Sequence, residues 1–247
     1  MKTLAFYHMK GGVGKTASVV NLSYLAAESG AKTLIWDLDP QASATYYFRV
    51  KAKIKSGAKS LLKSGKRLSR DIKGTDYDNL DILPADFSFR NLDIKWEKLK
   101  RPKSQIREII RQIGSDYDFI FLDCPPNLTV VSENVFKAAD YIFVPVIPTT
   151  LSVRTYEKLL TFSKKNNYDP QHIFAFLSMV ESRKKMHKET MNSLLNGHRH
   201  VLQNHIPYRS AIENMGIHRQ PVTSHMRNSE SSQAYEALWD EIKAIIE

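Results

Sequence analysis

The chain has 247 residues, 42% of them apolar, and carries 36 basic against 26 acidic side chains, for a net charge of +10. One α/β domain commonly reaches this length, so a second domain is not required. The single cysteine excludes a disulfide framework, a zinc site built from cysteines and an iron–sulfur cluster held within one chain, and it predicts a reducing, cytoplasmic environment. No apolar stretch reaches 18 residues, which argues against a membrane span.

Short runs rich in isoleucine, valine, leucine and phenylalanine recur along the chain and predict strands. Several of these runs do not alternate with polar residues, which is typical of strands buried on both faces of a parallel sheet. The predicted strands are Thr3–His8, Lys32–Asp37, Leu80–Leu83, Phe119–Asp123, Tyr141–Pro145 and Ile173–Met179.

Segments of helical length lie between or beyond these strands. The clearest are Lys15–Ser29, which Gly30 ends, Lys103–Ile113, Val131–Ala138, Ser152–Lys164 and Ser231–Ile246. Alternation of strand and helix predicts an α/β fold in which a doubly wound, mostly parallel sheet is flanked by helices. No interdomain linker is evident, so residues 1–247 are expected to form a single domain.

A phosphate-binding loop follows the first predicted strand and opens directly into a helix. Its sequence is Lys10-Gly11-Gly12-Val13-Gly14-Lys15-Thr16. Glycines allow the backbone N–H groups to turn towards a phosphate, and the helix N-terminus adds positive partial charge. Lys15 is expected to reach the β- and γ-phosphates and Thr16 to ligate magnesium, which predicts ATP and Mg²⁺ as cofactors.

The loop departs from the general pattern Gly-x-x-x-x-Gly-Lys-Ser/Thr at one position. Met9 stands where that pattern has glycine, and a second lysine, Lys10, precedes the paired glycines instead. The loop is therefore a variant phosphate-binding loop with two lysines.

Carboxylates stand at the ends of two further predicted strands. Asp37 and Asp39 close the second strand, and Asp123 closes the strand that begins at Phe119. In an open parallel sheet, ligands bind beyond the carboxyl ends of the strands, so these side chains are expected to converge on the same phosphates. Lone aspartates at strand ends are also ordinary turn formers, and the phosphate-binding loop favours the functional interpretation.

The loop, the Asp37-Leu38-Asp39-Pro40-Gln41 segment and the Asp123-Cys124-Pro125-Pro126 segment together resemble the ParA family of deviant Walker ATPases, which partition plasmids, chromosomes and other cargo. The resemblance continues into the C-terminal third, through Ile206-Pro207, Pro221-Val222 and Ser231 to Glu241. It is weakest from about residue 48 to residue 102. Because the loop begins at residue 10, an N-terminal operator-binding domain is not expected.

The resemblance implies an ATP-bound homodimer with nucleotide sandwiched between the subunits. Lys10 would cross to the phosphates held by the partner, Asp39 would position the attacking water, and Thr16 and Asp123 would hold magnesium with a contribution from Asp39. Asp37 would support this loop from behind. The implied catalytic residues are Lys10, Lys15 and Asp39, and the implied nucleotide-binding residues are Lys10, Gly11, Gly12, Val13, Gly14, Lys15, Thr16 and Ala17. Lys10 as an ordinary surface lysine remains the alternative.

ParA-like dimers bind DNA without sequence preference, and the resemblance implies the same here, together with nucleoid association. The candidate contacts are Arg183, Lys184, Arg209, Arg219 and Arg227, with Lys185 nearby. The family also implies a cargo-bound adaptor protein that stimulates an otherwise slow hydrolysis. Which cargo this chain serves is not evident from the sequence.

Positive charge is concentrated between Arg49 and Lys73. This segment holds ten basic residues and one acid, Asp71, so it nearly accounts for the net charge of the chain. A solvated face or loop explains such a run as well as a nucleic-acid or partner surface does. Both interpretations stay open at this point.

Three other functions remain as alternatives. A membrane-associated MinD-like regulator would carry a basic amphipathic C-terminus, whereas the stretch from Trp239 to Glu247 has three acids and one lysine, so no membrane partner is expected. An ATP-dependent metabolic enzyme of the same superfamily would need a small-molecule pocket. A DNA-binding module without hydrolysis is disfavoured by Lys10, Lys15, Asp39 and Asp123.

Overall fold

A computed structural model describes residues 1–55, 57–62 and 65–247 of the chain. Part of the basic run falls outside the described residues. Lys63 and its neighbour Ser64 lie outside them, as do Ser56 and the side chains of Lys59, Lys66 and Arg67.

The described residues form one seven-stranded sheet with the strand order β3-β4-β2-β5-β1-β6-β7. The strands are β1 (Lys2–Phe6), β2 (Thr33–Asp37), β3 (Lys73–Gly74), β4 (Leu80–Leu83), β5 (Phe119–Asp123), β6 (Tyr141–Val146) and β7 (Ile173–Leu177). All neighbours pair in parallel except β3, which runs antiparallel to β4 at the edge of the sheet.

Helices connect the strands and cover both faces of the sheet. They are α1 (Lys15–Glu28), α2 (Ser43–Tyr47), α3 (Leu92–Glu97), α4 (Gln105–Ile113), α5 (Val130–Ala138), α6 (Thr150–Lys165), α7 (Lys185–Gly197), α8 (Ser210–Glu213), α9 (Met215–His218), α10 (Val222–His225) and α11 (Glu230–Ile246). Short 3₁₀ turns add Gly57–Leu62, Gly65–Arg70, Phe87–Asn91, Gly114–Asp116 and Pro170–His172.

The predicted fold class is confirmed, and each predicted strand and helix has a counterpart in the structure. The first strand ends at Phe6 instead of His8, because the chain turns into the phosphate-binding loop. The last predicted strand ends at Leu177, and Met179 beyond it takes a left-handed backbone with φ of 54°. Strand β3 and helices α2, α3 and α7 to α10 were not predicted, since they are short or, like α7, bury few side chains.

The apolar core lies in two layers, one on each face of the sheet. Alternate residues of β1 enter opposite layers: Leu4 and Phe6 pack with α1 and α11, whereas Ala5 and Tyr7 pack with α4, α5 and α6. This alternation follows from the two-residue period of a strand. Helix α1 lies between the sheet on one side and α10 and α11 on the other, so it is buried along most of its length.

Strand register brings the carboxyl ends of β1, β2 and β5 together. Asp123 at the end of β5 is the register partner of Phe6 on one side and of Asp37 on the other. The phosphate-binding loop leaves β1 at this edge. Residues far apart in sequence are thereby placed around one site, as expected for a doubly wound sheet.

None of the helices in the described ranges combines the length and the apolar character needed to cross a membrane.

Candidate functional site: a phosphate-binding loop between three strand ends

Two glycines of the loop adopt backbone conformations that side chains disfavour. Gly12 has φ of 69° and Gly14, the residue before α1, has φ of 92°. A Cβ atom on Gly14 would also lie 2.7 Å from the Ser178 hydroxyl oxygen. Gly14 is therefore required both for its left-handed conformation and for the close approach of the β7 end.

The loop divides into an exposed rim and an anchored base. Lys10, Gly11 and Gly12 are exposed, whereas Val13 is only 3% exposed and packs into the protein. Thr16 and Ala17, in the first turn of α1, are half-buried. The rim is thus available to a partner while the base is held rigidly.

Lys15 is buried at the base of the loop. Its Nζ atom donates a hydrogen bond to the Lys10 carbonyl oxygen at 3.2 Å. Burial lowers the pKa of Lys15, and the nearby Asp123 opposes that effect. A phosphate at this point would supply the negative charge that a buried ammonium group favours.

His8 is a site residue that the sequence reasoning missed. It is fully buried, and its Nδ1 atom accepts a hydrogen bond from the Lys10 backbone N–H at 3.0 Å, so the ring proton resides on Nε2. Burial, reinforced by the charge of Lys15, lowers the pKa of His8 to about 4. The signal available in the sequence was its position between the first strand and Lys10.

Asp37 holds the loop that follows β2. Its carboxylate accepts hydrogen bonds from the Thr45 backbone N–H at 2.9 Å, from the Thr45 hydroxyl at 2.7 Å and from the Asp39 backbone N–H at 3.2 Å. Burial raises the pKa of Asp37 to about 6, and the bonds from Thr45 oppose the rise. Asp39 itself is half-buried, and its Oδ1 accepts from the Gln41 N–H at 2.9 Å.

Asp123 is the unusual carboxylate of the site. It is fully buried, and neither of its oxygens has a hydrogen-bond partner among the residues that the structure describes. Burial, with the nearby Asp37, raises its pKa well above the usual value, while Thr16 and Lys15 act in the opposite direction. A buried carboxylate without a partner is costly, which indicates a cation as its counterpart when the site is in use.

The donors at this point fit magnesium. Mg²⁺ prefers oxygen ligands and binds proteins through one or two carboxylates together with phosphate oxygens and water. The Thr16 hydroxyl and the Asp123 carboxylate are such donors. In the described part of the chain no cluster of three histidine, cysteine, aspartate or glutamate side chains forms a complete metal cage, so phosphate oxygens are needed to complete the coordination.

A narrow cavity of about 40 Å³ lies beside the first turn of α1. Gly14 and Ala17 form one wall, and Met179, Ile206 and Tyr235 are among the residues that form the rest. The cavity lies next to the phosphate-binding loop, but a volume of this size is well below that of a typical ligand pocket.

The candidate DNA-contact residues lie in different environments. Arg183 is exposed, and Lys184 pairs with Glu181 at 2.5 Å. Arg209 forms a bidentate ion pair with Glu230, in which Nη2 and Nε donate to the two carboxylate oxygens at 2.6 and 2.9 Å.

The other two candidates contact α1 and α2. Arg227 contacts Glu28 and the Tyr24 hydroxyl. Arg219 donates to the Tyr46 carbonyl oxygen at 2.9 Å, and its guanidinium lies 4.4 Å from the centre of the Tyr46 ring. Each of these two arginines is thus held by contacts within its own chain.

Fold and loop together define a P-loop nucleoside-triphosphatase. The family model described as AAA domain matches residues 1–176. The virulence plasmid ParA family protein pGP5-D of Chlamydia psittaci is 32% identical over 204 residues, which cover 80% of this chain and 78% of that protein. The sporulation initiation inhibitor protein Soj of Bacillus subtilis is 26% identical over 249 residues, 98% of each protein.

A solved structure of similar fold comes from Borrelia burgdorferi B31. It is described as a plasmid partition protein bound to AMPPNP, and it superposes with a TM-score of 0.83 at 24% identity, covering 98% of both chains. The chain belongs to the ParA family of deviant Walker ATPases, which confirms the family resemblance drawn from the motifs. Proteins of this family are partition and positioning ATPases.

Proposed function

We propose that this protein is an ATP-dependent dimerising ATPase that binds DNA without sequence preference and partitions or positions DNA or another cellular cargo. A cargo-bound adaptor protein accelerates its hydrolysis. The observation that carries the proposal is the division of labour between the two lysines of one loop: Lys15 is buried at the base, and Lys10 is exposed on the rim.

The rim lysine accounts for dimerisation. The Lys10 carbonyl oxygen accepts from Lys15 and its backbone N–H is fixed by His8, so the side chain leaves a rigid loop at the protein surface. A cation there reaches the phosphates bound by a second copy and stabilises the charge that develops during phosphoryl transfer. Comparable arginine fingers accelerate hydrolysis by about 10³ to 10⁵.

Thr16 and Asp123 are the residues that would hold Mg²⁺, Asp123 through a water molecule, with Asp39 close to the same site. The ion would neutralise charge on the β- and γ-phosphates. Asp39, half-buried at the end of β2, accepts a hydrogen bond from the attacking water and orients it. Lys15 binds the β- and γ-phosphates from the base of the loop.

The cycle follows from these parts. ATP completes the dimer, the dimer presents its basic surface to DNA phosphates, and hydrolysis returns the protein to a form with weak affinity for DNA. Hydrolysis is slow in the isolated protein, because the adaptor is needed to bring the water, Asp39 and the partner's Lys10 into register.

Binding to random-sequence duplex DNA tests the proposal directly. We expect binding with ATP and little binding with ADP or without nucleotide. Affinity should fall steeply between 50 and 200 mM salt, because each phosphate contact contributes about −0.9 to the slope of log binding constant against log salt concentration. Lys15→Ala is the control and should lose the response to ATP. Absence of DNA binding in every state, with ATP still bound, would contradict the proposal and favour a metabolic or membrane-associated relative.

A further inference from the structure

The basic segment between Arg49 and Lys73 has no role in the site described above. Its described cations are exposed at the surface of the protein, and we call this set of residues the basic platform. The platform consists of Arg49, Lys51, Lys53, Lys55, Arg70 and Lys73, all of them exposed.

The backbone beneath the platform is fixed to the protein body. Ile54 is only 2% exposed, and its N–H donates to the Asp86 carboxylate at 3.1 Å. The next N–H, of Lys55, donates to the Asp71 carboxylate at 3.0 Å, which joins the two ends of the basic segment. Leu68 is also fully buried in the core. These contacts favour a folded surface over a solvated loop.

Two acids beside the platform, Asp71 and Asp86, accept hydrogen bonds from backbone N–H groups. Asp71, the one acid of the basic segment, is 4% exposed. Asp86 also accepts from the Ser88 N–H at 2.9 Å, and although burial opposes the effect, these bonds and the charge of Lys53 hold its pKa below the usual value. Among the described residues, the ion pair of Arg49 with Asp76 at 3.2 Å is the one that involves a platform cation.

The platform is continuous with one of the candidate DNA contacts. Arg49 donates to the His218 carbonyl oxygen at 3.1 Å, immediately before Arg219 in the chain. Arg219 in turn donates to the Tyr46 carbonyl oxygen and lies over its ring. Arg49 and Arg219 thus connect the ends of α2 and α9, and the platform extends through Arg49 to Arg219.

The chemistry of the exposed surface favours a nucleic acid over a protein partner. Protein interfaces have apolar, often aromatic, centres depleted in lysine. In the described part of the segment the large apolar side chains Ile54, Leu61 and Leu68 are buried, and cations and small residues such as Ala52 face solvent. Surfaces that bind DNA are polar and strongly positive, with lysines and arginines directed at phosphates.

We propose that the basic platform is a second phosphate-contacting surface, through which the ATP-bound protein holds the backbone of duplex DNA independently of its sequence. The inference rests on the proposed DNA binding and names a surface for it. Lys51, Lys53 and Lys55 are chosen for the test because they stand close together in the chain, are exposed and have no ion-pair partner among the described residues.

The test compares two triple variants that remove the same amount of charge. Lys51→Gln/Lys53→Gln/Lys55→Gln removes the central platform cations, and Lys158→Gln/Lys164→Gln/Lys165→Gln removes three exposed cations of α6, a helix packed on β6 at the other end of the sheet. Affinity for random duplex DNA is measured with ATP across a salt series. Basal ATP hydrolysis and ATP affinity are measured in parallel and should be unchanged in both variants.

We expect the platform variant to bind DNA at least tenfold more weakly near 100 mM salt. The slope of log binding constant against log salt concentration should be shallower by about 0.9 for each DNA phosphate that a lysine no longer neutralises. For the three lysines this amounts to about 2.7 per protomer. The α6 variant should stay close to wild type. If the platform variant shows the same salt dependence of DNA binding as wild type, the inference is overturned. The lysines would then be available to bind an acidic protein partner. Equal reductions in both variants would overturn it as well, because net charge alone would then explain them.

The same experiment separates this inference from the proposed function. Wild-type protein that binds ATP but no DNA would contradict both, whereas ATP-dependent binding that the platform variant retains contradicts the platform alone. A second test needs no variant, because the lysines of the wild-type protein are acetylated with a chemical reagent. Acetylation of Lys51, Lys53 and Lys55, read by mass spectrometry, should fall in the presence of ATP and DNA, and unchanged labelling would count against the platform.

Discussion

His8 shows how a single buried side chain can set the conformation of a catalytic loop. Its Nδ1 accepts a hydrogen bond from the Lys10 N–H, while Nε2 has no hydrogen-bond partner among the described residues. The ring must therefore stay neutral, because a proton on Nδ1 would replace the acceptor by a donor. The position of Lys10 thus depends on the protonation state of the residue two places before it.

The protonation state of His8 gives a prediction for acid stability. The pKa of His8 is about 4 in the folded protein and about 6.5 in the unfolded chain, which therefore binds the extra proton between these values. Unfolding free energy should fall by about 3 kcal/mol through His8 as pH falls from about 7 to about 3, most of it between 6.5 and 4. His8→Asn, whose side-chain oxygen can still accept from Lys10, should remove this part of the decline in denaturation measured at several pH values.

The exposed histidine His218 provides the control. His218→Asn should leave the pH dependence of unfolding as it is in wild type. If His8→Asn also follows the wild-type curve, His8 is not held neutral by burial, and the assigned hydrogen bond to Lys10 is wrong.

Asp39 gives a second prediction at this scale. Asp39→Ala should retain ATP binding and dimerisation, since Lys15 and the loop backbone hold the phosphates, but should lose hydrolysis because the attacking water is no longer oriented. Steady-state phosphate release and nucleotide affinity, measured on the same samples, separate these effects. Asp116 is an exposed aspartate near β5, and Asp116→Ala is the control that should hydrolyse ATP at the wild-type rate. Normal ATP turnover in Asp39→Ala would show that Asp39 does not orient the water.

At the scale of elements, the central helix α1 is locked to the C-terminal segment by one buried amide. Asn21 is fully buried, and its Oδ1 accepts from the Thr223 N–H at 3.1 Å and from the Thr223 hydroxyl at 3.0 Å. Its Nδ2 donates back to the Ala17 carbonyl oxygen at 2.8 Å. The phosphate-binding loop opens this same helix, so the amide links the nucleotide site to α10.

Removal of this amide should weaken the whole protein. Asn21→Ala leaves two buried donors of Thr223 without an acceptor, and we expect a decrease of about 2–3 kcal/mol in unfolding free energy by chemical denaturation. Asn166→Ala removes a similar bond, to Phe162, from the exposed end of α6 and should cost less than about 0.5 kcal/mol. Similar decreases in the two variants would show that the link to α10 adds nothing.

The elements that sequence could predict are those with a strong local signal. Buried strands such as β5 and the enclosed helix α1 appear as apolar runs of the right length, and the loop between β1 and α1 has a distinctive pattern of lysines and glycines. The five-residue helix α2 and the two-residue strand β3 carry too few residues for a period to emerge. Helix α7 buries little more than His187 and Leu194, so its apolar pattern is weak.

The site was predictable in outline, because strand ends converge in this fold, but its contacts were not. Nothing local indicates that Asp37 accepts from Thr45 while Asp123 is left without a partner. That difference arises from strand register and from the path of the chain after β2. The role of His8 likewise depends on a backbone turn that the sequence pattern does not specify.

At the scale of the whole molecule, the distribution of charge and the exposure of Lys10 fit the proposed switch between two states. The net charge of +10 lies largely in and near the basic platform, while the loop rim that carries Lys10 is exposed at the carboxyl edge of the sheet. In the proposed function, Lys15 of one copy binds the phosphates and the exposed Lys10 of a second copy reaches them. In the proposed dimer a second copy completes the site, which links nucleotide state to assembly.

The molar mass in solution, measured by light scattering with ADP and then with a non-hydrolysable ATP analogue in the presence of Mg²⁺, tests this linkage most directly. We expect the mass of one 28.3 kDa chain with ADP and about twice that mass with the analogue. One and the same mass with both nucleotides, at concentrations where both are bound, would contradict the ATP-dependent dimer.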